Sequence, residues 1–132
     1  VGIRVEASTL MDAHVQVKRI YNLLNEIMDV SRQMAEAMDR DDQVAIQMLV
    51  SMREDPVRKL RVVRQALEEQ RDALDPEPAR RLSQLLNGAE AETEAEQPLA
   101  AQVGANRRLL DQLLELDQVL NRKLTREQSI YK

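Results

Sequence analysis

"AMDRDDQVAIQMLV", residues 37–50, sets three aspartates and an arginine between two apolar runs. Upstream, Leu10, Ala13, Val17, Ile20, Leu24, Ile27, Met34 and Met38 recur at alternating spacings of three and four, and Ser31 fills the one polar seam position. Such a heptad stripe marks one face of a helix about 43 Å long. It stops at Met38, and a second stripe begins with Val44, Ala45, Leu49 and Met52. The acidic knot therefore reads as the turn of a helical hairpin within Met38–Val44, with Asp41 or Asp42 capping the second helix. A calcium loop of the EF-hand type is the competing reading. Counted from Asp39, however, Val44 stands where such a loop needs glycine and Val50 where it needs glutamate. The turn is read as metal-free.

The chain has 132 residues, the size of one domain. Leu, Val, Ile, Met and Ala supply nearly all the apolar material; Phe and Trp are absent, and the only tyrosines are Tyr21 and Tyr131. Together with abundant Gln, Glu and Arg, this favours helix over strand. The expectation is an all-α, antiparallel bundle of long amphipathic helices joined by short turns, forming one domain over residues 1–132. The absence of cysteine excludes disulfides, thiolate metal sites and cysteine nucleophiles. No apolar stretch approaches the roughly 20 residues that span a bilayer. No signal peptide is visible, and residues 1–8 show no native start, which leaves a removed leader open. The net charge of −4 equals that of Glu90, Glu92, Glu94 and Glu96 together. The remainder is balanced and exerts no global pull on nucleic acid.

"REDPVRKL", residues 53–60, sets a second boundary question. Pro56 lacks an N–H and its ring collides with the Met52 carbonyl in a straight helix. Glu54 with Arg58, and Asp55 with Lys59, are favourable pairs only if the helix continues. The steric cost is the larger, so a kink or break is expected, followed by a helix carrying Val57, Leu60, Val63, Leu67 and Leu74. "LDPEPARRLSQLLNG", residues 74–88, repeats the device: Asp75 caps, Pro76 starts, and Asn87-Gly88 offers a left-handed stop. "AEAETEAEQP" then shows no apolar stripe, and its glutamates repel at helical spacing, so segment 89–97 reads as a solvated helix or, by that repulsion, as a loose internal linker. A last stripe runs Leu99, Val103, Leu110, Leu113, Leu120 and Leu124.

Catalytic constellations are hard to assemble from these residues. The one histidine, His14, is preceded three residues earlier by Met11, so the paired Glu-x-x-His motifs of a carboxylate-bridged di-iron site are missing. No glycine-rich phosphate loop is present, and no cofactor is expected. Glu26 with Asp29, and Asp111 with Glu115, read as solvated helix faces. Arg58, Lys59, Arg61 and Arg64 form the one concentrated basic patch, without stacking aromatics or a groove-entering motif. It reads as a solvated face or as a partner of the Glu90–Glu96 segment. An enzyme gripping a small dicarboxylate would need such arginines on the seam, and here they flank it. Met34, Met38, Met48 and Met52 lie on both sides of the acidic turn, where a hairpin would gather them as core filler or as an adaptable binding surface.

The last helix carries the stronger indication of a partner. Leu109, Leu116 and Leu120 edge its apolar arc on one side, Val103 and Leu114 on the other, and the arc spans about 160°. That is wider than one neighbour covers. Leu109, Leu110, Leu113, Leu114, Leu116, Leu120 and Leu124 are therefore the candidate partner-binding residues, with Asn106 and Asp117 as polar positions inside the arc. Lysine at the edges, Leu109 and Leu114, is expected to disturb binding more than folding.

The whole layout resembles the FlgN/FliT class of flagellar export chaperones over about residues 15–131. The residues that carry the likeness are "MDRDDQVAIQMLVSMRED", "GANRRLLDQLLELDQVLNRKL" and the closing "SIYK". Pro56 and the glutamate-rich segment depart from it. The resemblance implies a small cytoplasmic bacterial protein without enzymatic activity. It would hold helical terminal segments of hook-associated or filament-cap proteins before type III export. An amphipathic client helix entering an apolar groove is the mechanism it implies. The alternative is a structural bundle that self-associates through the same stripe, with no client.

Overall fold

The acidic knot is a turn between two helices of thirty residues or more. In the computed structural model, which describes residues 4–130 and their side chains through Thr125, α1 spans Ala7–Asp39 and α2 Gln43–Asp72. Asp42 is the N-cap of α2, its carboxylate accepting the Ala45 N–H at 3.1 Å. Asp41 adopts a left-handed φ of 55°. The Asp42 N–H then donates to the Ala37 carbonyl and the Asp41 N–H to that of Met38, the paired bonds of a Schellman stop. The Asp41 carboxylate accepts a hydrogen bond from the Gln43 side chain. Two of the three aspartates thus build the reversal themselves.

Two further helices follow, α3 at Pro76–Leu86 and α4 at Gln97–Ile130. Among the described residues there is no strand. The architecture is an all-α helical bundle. Asn106 of α4 reaches Val17 of α1, and Lys123 of α4 pairs with Asp39 at the other end. Successive long helices are therefore antiparallel, which leaves the first and last, α1 and α4, running parallel. The short α3 turns the chain at the base between them. It ends at Asn87 with Gly88 at φ 98°, where the Ala89 N–H reaches the Gln84 carbonyl in a second Schellman stop.

Every stripe residue of α1 is buried, including Ser31. One cluster gathers α1 with Leu67, Leu82, Leu85, Leu99, Val103, Leu109 and Leu113; a second at the hairpin tip holds Met34, Ala37, Met38, Ile46, Leu49 and Leu120. The stripe of α2 is a correction. Ile46 and Leu49 face the core, whereas Val44 and Met52 are 74% and 50% exposed. The four methionines divide accordingly: Met34 and Met38 fill the tip core, while Met48 and Met52 stand outside.

The helix is also continuous across Pro56, so of the expected kink or break the break does not occur. Pro56 is buried, and Val57, Leu60, Val63 and Leu67 carry one packing face past it. Asp55 meets Lys59 at 3.1 Å, one of the two pairs expected of a continuous helix, while Arg58 pairs with Asp55 at 3.5 Å instead of with Glu54. One missing hydrogen bond is outweighed by apolar burial along both flanks.

Segment 89–96 is non-helical, as expected of a linker, but it is pinned. Arg81 on α3 grips Glu96 through a two-pronged contact, Nε to Oε2 at 3.0 Å and Nη2 to Oε1 at 2.6 Å. The same guanidinium donates to the Glu90 carbonyl and the Gln84 side chain, and the Glu92 N–H donates to Glu96. Both ionic side chains are buried. The basic patch on α2 takes no part, since Arg58 and Lys59 pair with Asp55 on their own helix.

Candidate functional site

Helix α1 packs along both α2 and α4, whereas α2 and α4 hardly touch. A groove therefore opens between those two, with α1 as its floor. Val17, Ile20 and Leu24 form the floor; Leu67 of α2 with Val103 and Leu110 of α4 form apolar walls. The cleft holds about 430 Å³. Its rim carries Arg64, Glu68 and Arg71 on one side and Arg107 on the other, an excess of positive charge.

Both ends of the groove are closed by polar ties. At the base, Arg107 donates to the Asn87 carbonyl at the end of α3. Gly88 leaves room for this, because a Cβ there would run into the Arg107 guanidinium. Toward the hairpin tip, Arg53 of α2 donates from Nη2 to Asp117 of α4 at 2.9 Å and from Nε to Ser31 of α1 at 3.1 Å. Ser31 and Asp117, polar positions in two apolar stripes, thus share one arginine and tie three helices together. Asn106, the other polar arc residue, donates to the Val17 carbonyl at 2.8 Å and accepts from Gln102. It joins α4 to α1 and borders the groove. On α4 the lining runs from Val103 to Leu110, about 11 Å of helix.

The structure places the candidate leucines of α4 in three settings. Leu109, Leu113 and Leu120 belong to the bundle core. Leu110 and Leu116 are half-buried against it. Leu114 and Leu124 are exposed, Leu114 by 51%. Most of the wide arc is covered by the two core clusters, so Leu109 is not the tolerant edge expected of it. Leu114 is, and it follows Leu110 by one turn on the groove side, three residues before Asp117. The basic patch is not a unit either: Arg64 borders this groove, while Arg58 and Lys59 line a separate cleft with Arg19, Asn22 and Leu23. The carboxylates Glu26, Asp29, Asp111 and Glu115 are exposed, and His14 is half-buried.

Arg53 and Arg81 carried no sequence signal of their roles. Each lies in a charged stretch like its neighbours, and only the position of a distant helix selects it. The side chains of the closing "SIYK" lie outside the described residues. Among the described residues no helix is long and apolar enough to cross a membrane. The chain matches no protein-family model, no curated protein and no solved structure.

Proposed function

We propose that the chain is a non-enzymatic binding protein for amphipathic helices, acting in the cytoplasm as an export chaperone of the FlgN/FliT kind. The observation that carries this reading is the open groove between α2 and α4. An apolar floor and walls remain accessible there, between two long helices that hardly pack on each other. A client helix laid into it would cover Leu110 and Leu114 with its own apolar face. Arg64, Arg71 and Arg107 would favour acidic residues on that helix's flanks. Helical terminal segments of hook-associated or filament-cap proteins are the clients proposed.

Titration calorimetry with such a terminal segment, wild type against Leu114→Lys, tests the proposal. Leu114 is exposed, so the variant keeps its fold and loses binding at least about tenfold, as expected where an apolar contact becomes an unpaired charge. Undiminished binding by Leu114→Lys, or no binding by the wild type, refutes the groove reading. Binding of acidic amphipathic helices but not of flagellar segments would keep the groove and discard the flagellar assignment.

A further inference from the structure

The opposite side of the molecule holds most of its exposed apolar surface. Val44, Met48, Met52 and Val62 of α2, and Met11 and Val15 of α1, are six of the nine large hydrophobic side chains that stand exposed among the described residues. On α2 they fall on one stripe at helical spacing, interrupted only by Asp55 and Lys59. Beside this stripe lie two clefts against α1, one of about 280 Å³ near the hairpin tip and one of about 580 Å³ near Arg19. On α1 the residues of these clefts are about half a helical turn away from those of the α2–α4 groove, and on α2 the same holds for the cleft near Arg19.

The stripe is self-complementary when read in both directions. About a centre at Val57, antiparallel pairing of two copies sets Asp55 opposite Lys59, Met52 opposite Val62, and Met48 opposite Ala66. Acid meets base in the middle and apolar meets apolar at the next two steps of each flank, before Val44 meets Gln70 at the ends. A foreign partner would not require this symmetry, whereas a two-fold interface does, because each contact occurs twice. The patch is also large enough. Eighteen residues of α2 extend about 27 Å, and two adjacent helices are about 20 Å wide. Two such faces bury about 1,100 Å² together, just above the roughly 1,000 Å² that a specific interface needs.

We propose that the chain forms a two-fold dimer through this outer face of the α1–α2 hairpin, with α2 antiparallel to its counterpart. The groove between α2 and α4 stays open in each copy, so the dimer does not depend on the client reading.

Sedimentation velocity from micromolar to submillimolar concentration, with circular dichroism to check folding, tests this. The wild type is a reversible dimer. Asp55→Lys and Lys59→Asp each place like charges opposite one another in the symmetric pair and weaken the dimer at least about tenfold. An equimolar mixture of the two variants restores it, because the two lysines of one copy then face the two aspartates of the other. Repulsion within one helix cannot be relieved by mixing. Met52→Lys, at an exposed position, weakens the dimer without unfolding the chain. A wild type that stays monomeric throughout, a dimer indifferent to all three substitutions, or folded variants that mixing fails to rescue overturns the proposal.

Discussion

Asp41 holds a left-handed backbone conformation that costs a residue with a Cβ about 1–2 kcal/mol. Aspartate tolerates it better than most residues, and glycine adopts it without strain. Asp41→Gly should therefore stabilise the hairpin by about 0.5–1 kcal/mol, seen as a rise in Tm of about 2–5 °C. An unchanged or lower Tm would show that the Gln43 hydrogen bond matters more than the strain. Glu96 carries a buried charge that the fold holds through Arg81. The Arg81 hydrogen bonds, together with those from the Glu92 and Thr93 backbone N–H groups, hold its carboxyl below the usual glutamate range against the opposing effect of burial. Its contribution is complete above the unfolded value of about 4.3 and disappears as pH falls through the lower folded value. Glu96→Gln removes the close, buried counter-charge of Arg81 and leaves it only the exposed Glu92 carboxylate at 3.7 Å, a loss of about 3 kcal/mol at neutral pH, the low end for a broken buried pair. The variant should also lack part of the wild type's acid sensitivity. Urea unfolding at pH 7 and pH 3 checks both points: equal acid losses in the two proteins would contradict this role for Glu96.

The elements show which patterns a sequence can disclose. In α1 one apolar stripe runs unbroken in its spacing, so every seam position from Leu10 to Met38 could be assigned to the core, although Met11 and Val15 stand exposed outside it. Helix α2 carries two apolar stripes near its start, one through Ile46 and Leu49 and one through Val44, Met48 and Met52. Read by periodicity, Val44, Ala45, Leu49 and Met52 join members of both into one stripe, because spacing does not say which face meets α1. The Arg81–Glu96 clasp was illegible for a related reason: four alternating glutamates look equivalent until α3 selects one. The groove was hidden too, because it depends on the separation of two helices remote in sequence. Pro56 is a case of tertiary packing overriding local cost. Its position in α2 leaves the Met52 carbonyl without an N–H from within the helix. Pro56→Ala should restore that bond and stabilise α2 by about 1–3 kcal/mol, less whatever contact the buried ring contributes. Slower hydrogen exchange at the amides of residues 54–58, with a higher midpoint in urea, is the expected result. Destabilisation would mean that the ring's packing dominates.

At the scale of the whole molecule, α1 is the common support. It bears α2 and α4, it floors the groove, and its far side contributes to the outer face. This arrangement separates residues that stabilise the bundle from residues available to a partner, even within one helix. Leu113 and Leu114 are adjacent in sequence, yet Leu113 is in the core and Leu114 is exposed. Leu113→Glu should cost about 3–5 kcal/mol, since it removes a buried leucine and puts a charge in its place. Leu109→Lys belongs with it, because Leu109 is only 9% exposed. Leu114→Lys should change stability by less than about 0.5 kcal/mol, the range of ordinary surface substitutions. Arg58→Glu should leave client binding unchanged, since Arg58 lies on the other side of the hairpin, whereas Arg107→Glu at the groove rim should weaken it. These variants separate loss of fold from loss of site when circular dichroism melting is measured beside client titration. If Leu114→Lys melts early, or if Arg58→Glu abolishes client binding while Arg107→Glu does not, then the groove between α2 and α4 is not the binding surface.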